Sequence, residues 1–209
     1  MDEFNNDFYI DDDSETVAKK AKNNKDTVKE IFEWLDVLVV AIIAVVLVFS
    51  FLFRIATIDG GSMENTLFGG ERVVITDFFY TPKAGDIVVV SRNIDNSVSD
   101  INTSDTPIIK RVIATEGQTV DIDFENGIVY VDGEALEEPY VKTPTNVAYD
   151  IEFPVTVDEG CIFVLGDNRN DSLDSRSSKI GNGGMIDTRY VLGHAIYRIW
   201  PFTKLGGLN

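Results

Sequence analysis

One apolar stretch constrains this chain more than any other feature. Residues 37–53, read as VLVVAIIAVVLVFSFLF, include Ser50 as their one polar residue. At about 1.5 Å per residue the stretch forms about 26 Å of helix, which is close to the hydrocarbon thickness of a bilayer once Trp34 and Leu35 stand at the interface. The stretch therefore predicts a transmembrane helix over residues 34–54.

Basic residues are concentrated on one side of this stretch. They are Lys19, Lys20, Lys22, Lys25 and Lys29, whereas Arg54 follows it closely. The positive-inside rule then predicts a cytoplasmic N-terminus and places residues 55–209 outside the cell. A buried core helix does not explain this cluster of lysines, and a cleaved signal peptide lacks a small-x-small cleavage site after the stretch.

Charge is distributed unevenly along the chain. The formal net charge is −17, of which residues 1–54 carry −5 and the remainder −12. Seven acidic and no basic residues lie in residues 1–15, so we expect residues 1–33 to be a disordered cytoplasmic tail that includes the lysines. A pI near 4.3 leaves no basic domain to bind a phosphate backbone, which excludes nucleic acid as a partner.

Beyond the predicted span the pattern is that of β-structure. Short runs rich in β-branched residues alternate with Gly, Pro and Asn-Gly turn signals, and no long amphipathic helical pattern interrupts them. The predicted strands are residues 71–76, 86–91, 108–114, 119–123, 127–131, 161–165 and 190–199. Residues 93–107 and 137–153 are expected to be excursions from the sheet. Because open edges would stay unpaired, we expect an antiparallel sheet that closes or folds over.

Ser62 is the first residue that suggests chemistry. It follows Gly60-Gly61, and paired glycines allow unusual backbone angles and the close approach of another chain. In an arbitrary protein such a serine is usually a turn residue. Ser62 lies nine residues beyond Phe53, however, so the chain holds it within about 30 Å of the predicted membrane. A nucleophile at this position would act on membrane-borne substrates.

A serine nucleophile needs a base, and the chain offers two kinds. His194 is the single histidine and lies in a β-like run, where a structural role is the ordinary one. Lys110 lies in the apolar run Ile108–Ala114, where it is either a snorkelling lysine or a desolvated base. Acting as a base requires the pKa of Lys110 to fall from about 10.4 to about 8, at a cost of roughly 3 kcal/mol.

A third segment combines turn formers, charges and hydroxyls. Residues 166–176 read GDNRNDSLDSR and follow a predicted strand. By itself this is the composition of a solvated loop. It is also an arrangement in which a hydroxyl can orient an amine and an ion pair can brace the loop.

Together these segments resemble the bacterial type I signal peptidases, membrane-bound serine proteases of peptidase family S26. The motifs are Ser-Met-x-x-Thr-Leu at residues 62–67, Gly-Asp-Ile-Val-Val-Val at 85–90, Lys-Arg-Val-x-Ala-x-x-Gly at 110–117, and Gly-Asp-Asn-Arg-x-x-Ser-x-Asp-Ser-Arg at 166–176. The resemblance covers about residues 34–205, and four ordered motifs are far more specific than one. It implies a mainly β, antiparallel catalytic domain of the signal-peptidase and LexA-like type over residues 55–209, with a smaller β excursion.

The resemblance also implies a role for each matching residue. Ser62 would be the nucleophile, with its backbone amide donating to the oxyanion, and Lys110 the general base. Ser172 would hydrogen-bond and orient the Lys110 amine. Structural ion pairs would join Asp174 with Arg176 and Asp167 with Arg111. The substrate pocket would include Ile58, Met63, Leu67 and Ile109.

The implied activity is removal of signal peptides from exported preproteins after Ala-x-Ala sites at the outer face of the membrane. The partners would be signal peptides and the lipid bilayer. We expect neither a metal nor a cofactor. Cys161 is the single cysteine and lies in an apolar run, which excludes an intramolecular disulfide and favours a buried side chain.

The chain departs from the family pattern at two positions. Asn65 stands where many members have proline, which makes the turn after the nucleophile less rigid. Gly60 stands where some members have a serine that donates a second hydrogen bond to the oxyanion. Two other functions stay open: a non-catalytic, membrane-anchored peptide-binding protein of the same fold, and a Ser/Lys protease with another dedicated target, such as a self-cleaving repressor or a pilin-processing enzyme.

Overall fold

The computed structural model describes residues 13–91 and 106–208, with side chains from residue 28 onwards. The chain divides into two compact units, residues 1–50 and residues 51–209. Residues 1–12 of the expected tail, and most of the expected loop at 93–107, lie outside the described residues.

The first unit is built on one helix, α1, which spans Asp13–Leu52. Its segment Val28–Leu52 is long and apolar enough to cross a membrane. The large apolar side chains of this segment are exposed around the helix, which is the surface that a lipid-facing helix presents and a core helix does not.

The N-terminal boundary of α1 corrects one expectation. Residues 13–33 are helical, whereas we expected them to belong to a disordered tail. This segment contains Ala, Lys and Glu residues with high helix propensity, and it continues without a Pro or Gly into the apolar span. The prediction relied on acidic composition alone and therefore placed the beginning of the helix too late.

The second unit is mainly antiparallel β, as expected. Its strands are β1 (Arg54–Thr57), β2 (Arg72–Thr76), β3 (Ile87–Val90), β4 (Ile108–Thr115), β5 (Thr119–Asp123), β6 (Ile128–Val131), β7 (Glu134–Ala135), β8 (Val155–Thr156), β9 (Cys161–Leu165), β10 (Ile186–Asp187), β11 (Val191–Trp200) and β12 (Gly206–Gly207). All seven predicted strands are present with boundaries shifted by one residue or less. The strands that the sequence did not predict are β1 and four two-residue strands.

Two sheets make up this unit. The larger has the order β1-β2-β11-β3-β4-β9-β10, with β12 paired to β11, and the smaller has the order β7-β6-β5-β8. The smaller sheet is the expected β excursion, and residues 137–153 run between its strands β7 and β8 without a strand of their own. The long strand β11 lies at the middle of the larger sheet between β2 and β3, so the C-terminal part of the chain joins two earlier parts.

Three hydrophobic clusters fill the β unit. One packs residues of β2 and β3 against the segment after β1, a second lies where β4 and β9 meet the smaller sheet, and a third covers β3, β4, β9 and β10. Strand β4 contributes to all three clusters, because Ile109, Val112 and Ile113 belong to different ones. A polar side chain on β4 is therefore surrounded by protein.

Candidate active site

Ser62 lies in a tight turn that follows β1. Inside this turn the amides of Thr66 and Leu67 both donate to the carbonyl of Met63. The preceding Gly60 has φ +81°, a left-handed conformation that glycine adopts without strain. The segment after β1 therefore reverses direction sharply at the serine.

The same turn is bonded to the segment 166–176. The amide of Asn168 donates to the carbonyl of Ser62 at 3.0 Å, and its side-chain amide donates to the carbonyl of Gly61 at 3.0 Å. Two of the predicted motifs, more than 100 residues apart in sequence, thus meet at the serine.

Lys110 reaches Ser62 from strand β4. Its Nζ donates to Ser62 Oγ at 2.7 Å and to the carbonyl of Ile109 at 2.9 Å. Lys110 is 3% exposed. Burial disfavours the charged form of an amine. The structure therefore brings together the two residues that the resemblance pairs, with the lysine removed from water.

Ser172 is close to the pair but does not make the expected bond. Its Oγ is buried and has no hydrogen-bond partner among the described residues. A Cβ built on Gly166 would stand 2.2 Å from Ser172 Oγ and 2.5 Å from the carbonyl oxygen of Ser62. The Ser172 hydroxyl thus occupies space beside Gly166, while the Lys110 amine is directed to Ser62 and Ile109. The expected hydrogen bond from Ser172 to Lys110 is absent from this structure.

Both expected ion pairs are present. Arg111 donates from Nε and Nη2 to the two oxygens of Asp167, at 2.9 and 2.7 Å. Thr66, from the turn of the serine, also donates to Asp167 Oδ2. Asp174 accepts two hydrogen bonds from the guanidinium of Arg176, at 2.8 and 2.9 Å, and one from the amide of Gly166 at 3.0 Å. The first pair joins β4 to the turn of the serine, and the second holds the residues that follow β9.

A third buried arginine was not assigned a role from the sequence. Arg169 donates to both oxygens of Glu138, to Thr145 Oγ1 at 2.8 Å and to the carbonyl of Gly166 at 3.0 Å. Arg169 belongs to the quoted Gly-Asp-Asn-Arg motif, which is the signal that identifies it. Glu138 lies in an excursion without any motif, so this partner could not be predicted from the sequence.

The four expected pocket residues lie in one hydrophobic cluster. Ile58, Met63, Leu67 and Ile109 are all buried, and they pack with Val73, Ile75, Ile87 and Val89. These four residues therefore form the part of the hydrophobic core that lies beside the serine turn.

His194 makes different contacts from Lys110. Its ring stacks on that of Tyr80 with centroids 4.8 Å apart, and its Nε2 lies 3.7 Å from Asp86 Oδ1. Burial lowers the pKa of His194 below its ordinary value, although the charge of Asp86 opposes this shift. The imidazole is therefore neutral at pH 7. Its ring contacts Tyr80 and Asp86, which lie in the segment that connects β2 to β3.

Glu71 connects the serine turn to the C-terminal region. Arg198 Nη1 donates to Glu71 Oε2 at 2.8 Å and to the carbonyl of Thr66 at 2.9 Å, and Lys204 donates to Glu71 Oε1 at 3.2 Å. Burial acts to raise the pKa of Glu71, but the hydrogen bonds from Arg198, the Phe68 amide and Lys204 outweigh it, and the pKa is lowered.

The chain is similar to several known proteins. A family model described as "Signal peptidase, peptidase S26" matches residues 31–200. The probable signal peptidase I-1 of Synechocystis sp. is 36% identical over 180 residues, which are 85% of this chain and 86% of that protein. The signal peptidase I of Bacillus licheniformis is 30% identical over 197 residues, which are 90% of this chain and 96% of that protein.

A solved structure is also similar. The crystal structure of a signal peptidase I from Enterococcus faecalis is 28% identical and covers 55% of this chain and 97% of its own, with a TM-score of 0.40.

Proposed function

This chain belongs to the signal peptidase family, peptidase S26, and we propose that Ser62 is its nucleophile and Lys110 its general base. It is a membrane-anchored peptidase that removes signal peptides from exported preproteins. The observation that carries the proposed dyad is the 2.7 Å contact between Ser62 Oγ and Nζ of the buried Lys110.

The reaction begins with proton transfer from the serine. A neutral Lys110 takes the Ser62 hydroxyl proton as Oγ attacks the scissile carbonyl carbon, which forms a tetrahedral intermediate. The C–N bond then breaks, Lys110 returns the proton to the leaving amine, and the signal peptide stays bound to Ser62 as an ester. Lys110 next takes a proton from water, whose oxygen attacks the ester. Collapse releases the signal peptide as a carboxylic acid and restores the Ser62 hydroxyl.

The base role depends on a neutral lysine at working pH. Lys110 is 3% exposed and lies among three hydrophobic clusters, and desolvation of this kind lowers the pKa of an amine. A neutral amine at the observed position accepts the Ser62 proton without moving. The geometry therefore supports Lys110 over His194, whose ring is engaged with Tyr80 and Asp86.

The Ser62 amide is proposed to stabilise the oxyanion. It is part of the sharp turn after Gly60, where a backbone donor is held rigidly. Gly60 has no side-chain donor, and its left-handed φ disfavours the serine that some relatives carry there. We propose that a second backbone amide or a water molecule completes the oxyanion hole.

Substrate selection is proposed to rest on the apolar walls beside the serine. Ile58, Met63, Leu67 and Ile109 pack together beside the serine turn, and we propose that this apolar surface receives the small side chains of an Ala-x-Ala site. The peptide would bind as an added extended strand. The lysines before the span support a cytoplasmic N-terminus and an extracytoplasmic catalytic unit over residues 55–209.

A preprotein assay tests the dyad. The full chain, purified in detergent, is given a preprotein with an Ala-x-Ala site, and cleavage is followed on gels and by mass spectrometry. Ser62→Ala and Lys110→Met each abolish cleavage, with at least about a thousandfold loss, while thermal unfolding shows that both variants fold. The rate of the unmodified chain rises with pH through an apparent pKa well below 10.

Specific results would contradict the proposal. Cleavage that survives Lys110→Met would remove the lysine from the mechanism. A chain that binds the preprotein without cutting it would support the peptide-binding alternative. Cleavage confined to a different class of substrate would support a dedicated protease.

A further inference from the structure

The serine turn, residues 62–67, is held on its inner side by the segment 166–176 and by Arg198. Its outer side is formed by Glu64 and Asn65, the position where many relatives have proline. Both residues contact the segment 138–145, which connects β7 to β8 in the chain. What fixes the outer side of the turn is therefore a region that no motif identifies.

The contacts of this segment with the turn come from two neighbouring residues. Lys142 Nζ donates to Glu64 Oε2 at 2.7 Å. Two residues earlier, the carbonyl of Tyr140 accepts from the side-chain amide of Asn65 at 3.4 Å, a long and weak bond. The ion pair of Lys142 is thus the stronger of the two links.

The segment can hold the turn because it is itself fixed to the site. The amide of Lys142 donates to the carbonyl of Asp167 at 2.9 Å. The guanidinium of Arg111 stacks on the ring of Tyr140, with Arg111 Cζ 3.9 Å from the ring centroid. Near its beginning, Glu138 receives two bonds from buried Arg169. Lys142 therefore approaches Glu64 from a backbone that is bonded to the Arg111–Asp167 pair.

The charge of Glu64 lies close to the residue that precedes the proposed nucleophile. Its Oε1 stands 3.1 Å from the position of a Cβ on Gly61, the residue directly before Ser62. An uncompensated carboxylate here opposes the negative charge that develops on the oxyanion at the Ser62 amide. Lys142 binds the other oxygen of the same carboxylate and compensates its charge.

We infer that Lys142 is a positioning residue for the nucleophile: it holds the outer side of the serine turn and neutralises Glu64 beside the oxyanion site. This inference rests on the proposed function of Ser62. The pair is partly exposed, at 45% for Lys142 and 31% for Glu64, so its contribution to the free energy of unfolding is small. Its effect should appear in kcat.

A double-mutant cycle tests the inference on the full chain in detergent, with a peptide that carries an Ala-x-Ala site. Lys142→Met lowers kcat about three- to tenfold, leaves KM within about twofold and leaves the thermal unfolding temperature unchanged. Lys142→Arg keeps the charge and retains most of the activity. Glu64→Gln added to Lys142→Met restores kcat to the level of Glu64→Gln alone. The loss in Lys142→Met also shrinks between 0.15 and about 1 M salt, because screening weakens the unpaired charge.

The matched control is Arg189→Met, which removes the cation of another exposed ion pair, that with Asp187 at 2.6 Å. It leaves kcat unchanged. A wild-type kcat in Lys142→Met, or a loss that Glu64→Gln does not relieve, overturns the inference. Ser62→Ala in the same assay separates the two levels: cleavage by that variant refutes the dyad, whereas an inactive Ser62→Ala beside a fully active Lys142→Met refutes the role of Lys142 alone.

Discussion

Arg111 binds both carboxylate oxygens of Asp167 in a place where neither side chain is more than 1% exposed. Arg111 directly follows Lys110 in the chain, and the hydroxyl of Thr66 in the serine turn donates a hydrogen bond to Asp167. The pair therefore connects the strand of the proposed base with the turn of the proposed nucleophile.

Asp167→Asn removes the charge that compensates buried Arg111. We expect the free energy of unfolding to fall by about 3–5 kcal/mol, because a buried guanidinium loses its partner. Urea denaturation of the detergent-solubilised chain measures the change. Asp187→Asn, in the exposed pair with Arg189, should leave the free energy of unfolding nearly unchanged. Equal losses in the two variants would contradict this view of the buried pair.

Gly166→Ala tests the close packing beside the dyad. The added Cβ would meet Ser172 Oγ at 2.2 Å and the Ser62 carbonyl oxygen at 2.5 Å, so the serine turn must shift. Because small displacements of reacting groups are costly, we expect kcat to fall by about a hundredfold or more. Gly206→Ala is the control, since among the residues that the structure describes, other than its chain neighbours, none has an atom within 4 Å of the added Cβ. Full activity in Gly166→Ala would show that the turn has more room than the structure indicates.

Glu71 predicts a defined pH dependence of stability. Its folded-state pKa lies below the ordinary value of 4.5, so its stabilising contribution is complete above that value and is lost as pH falls through the folded pKa. Glu71→Gln should lower the free energy of unfolding by about 2 kcal/mol at pH 7, through the lost charged hydrogen bonds to Arg198 and Lys204. Urea denaturation from pH 7 to pH 3 should show the difference shrinking. A difference that stays constant over this range would count against the assignment.

His194→Gln separates the two possible bases. Because burial lowers the pKa of His194 and its ring contacts Tyr80 and Asp86, we expect kcat/KM to stay within about threefold and the pH profile to keep its shape. The pH dependence of kcat/KM for the two proteins measures this. A loss comparable to that of Lys110→Met would assign the base role to His194 instead.

The strands of the β unit could be predicted from the sequence because runs of β-branched residues and the turn residues between them are local signals. Strand β4 was predicted at residues 108–114 and spans Ile108–Thr115. Strand β1 was not predicted, because Arg54–Thr57 follows the apolar span directly and no turn residue separates the two. The beginning of α1 was missed because we weighed the net charge of residues 13–33 and not the helix propensity of their Ala, Lys and Glu residues.

Within the site, the sequence identified the residues better than their contacts. The Arg111–Asp167 and Asp174–Arg176 pairs are formed, and Ser62 meets Lys110. The orientation of the Ser172 hydroxyl depends on packing against Gly166, which no residue pattern encodes. Lys142 was missed because its bond to Glu64 joins residues 78 apart, Glu64 is at a variable position of its motif, and Lys142 lies in no motif.

The place of strand β11 has a consequence for how the site is assembled. Ser62 follows β1 and Lys110 lies on β4, and in the hydrogen-bonded order β2, β11 and β3 stand between these two strands. Strand β11 spans Val191–Trp200 and pairs with β2 on one side and with β3 on the other. The larger sheet is therefore continuous from the strand before the serine to the strand of the lysine only when β11 is in place. Residues 191–200 thus decide whether serine and lysine share one sheet, although none of them belongs to the proposed dyad.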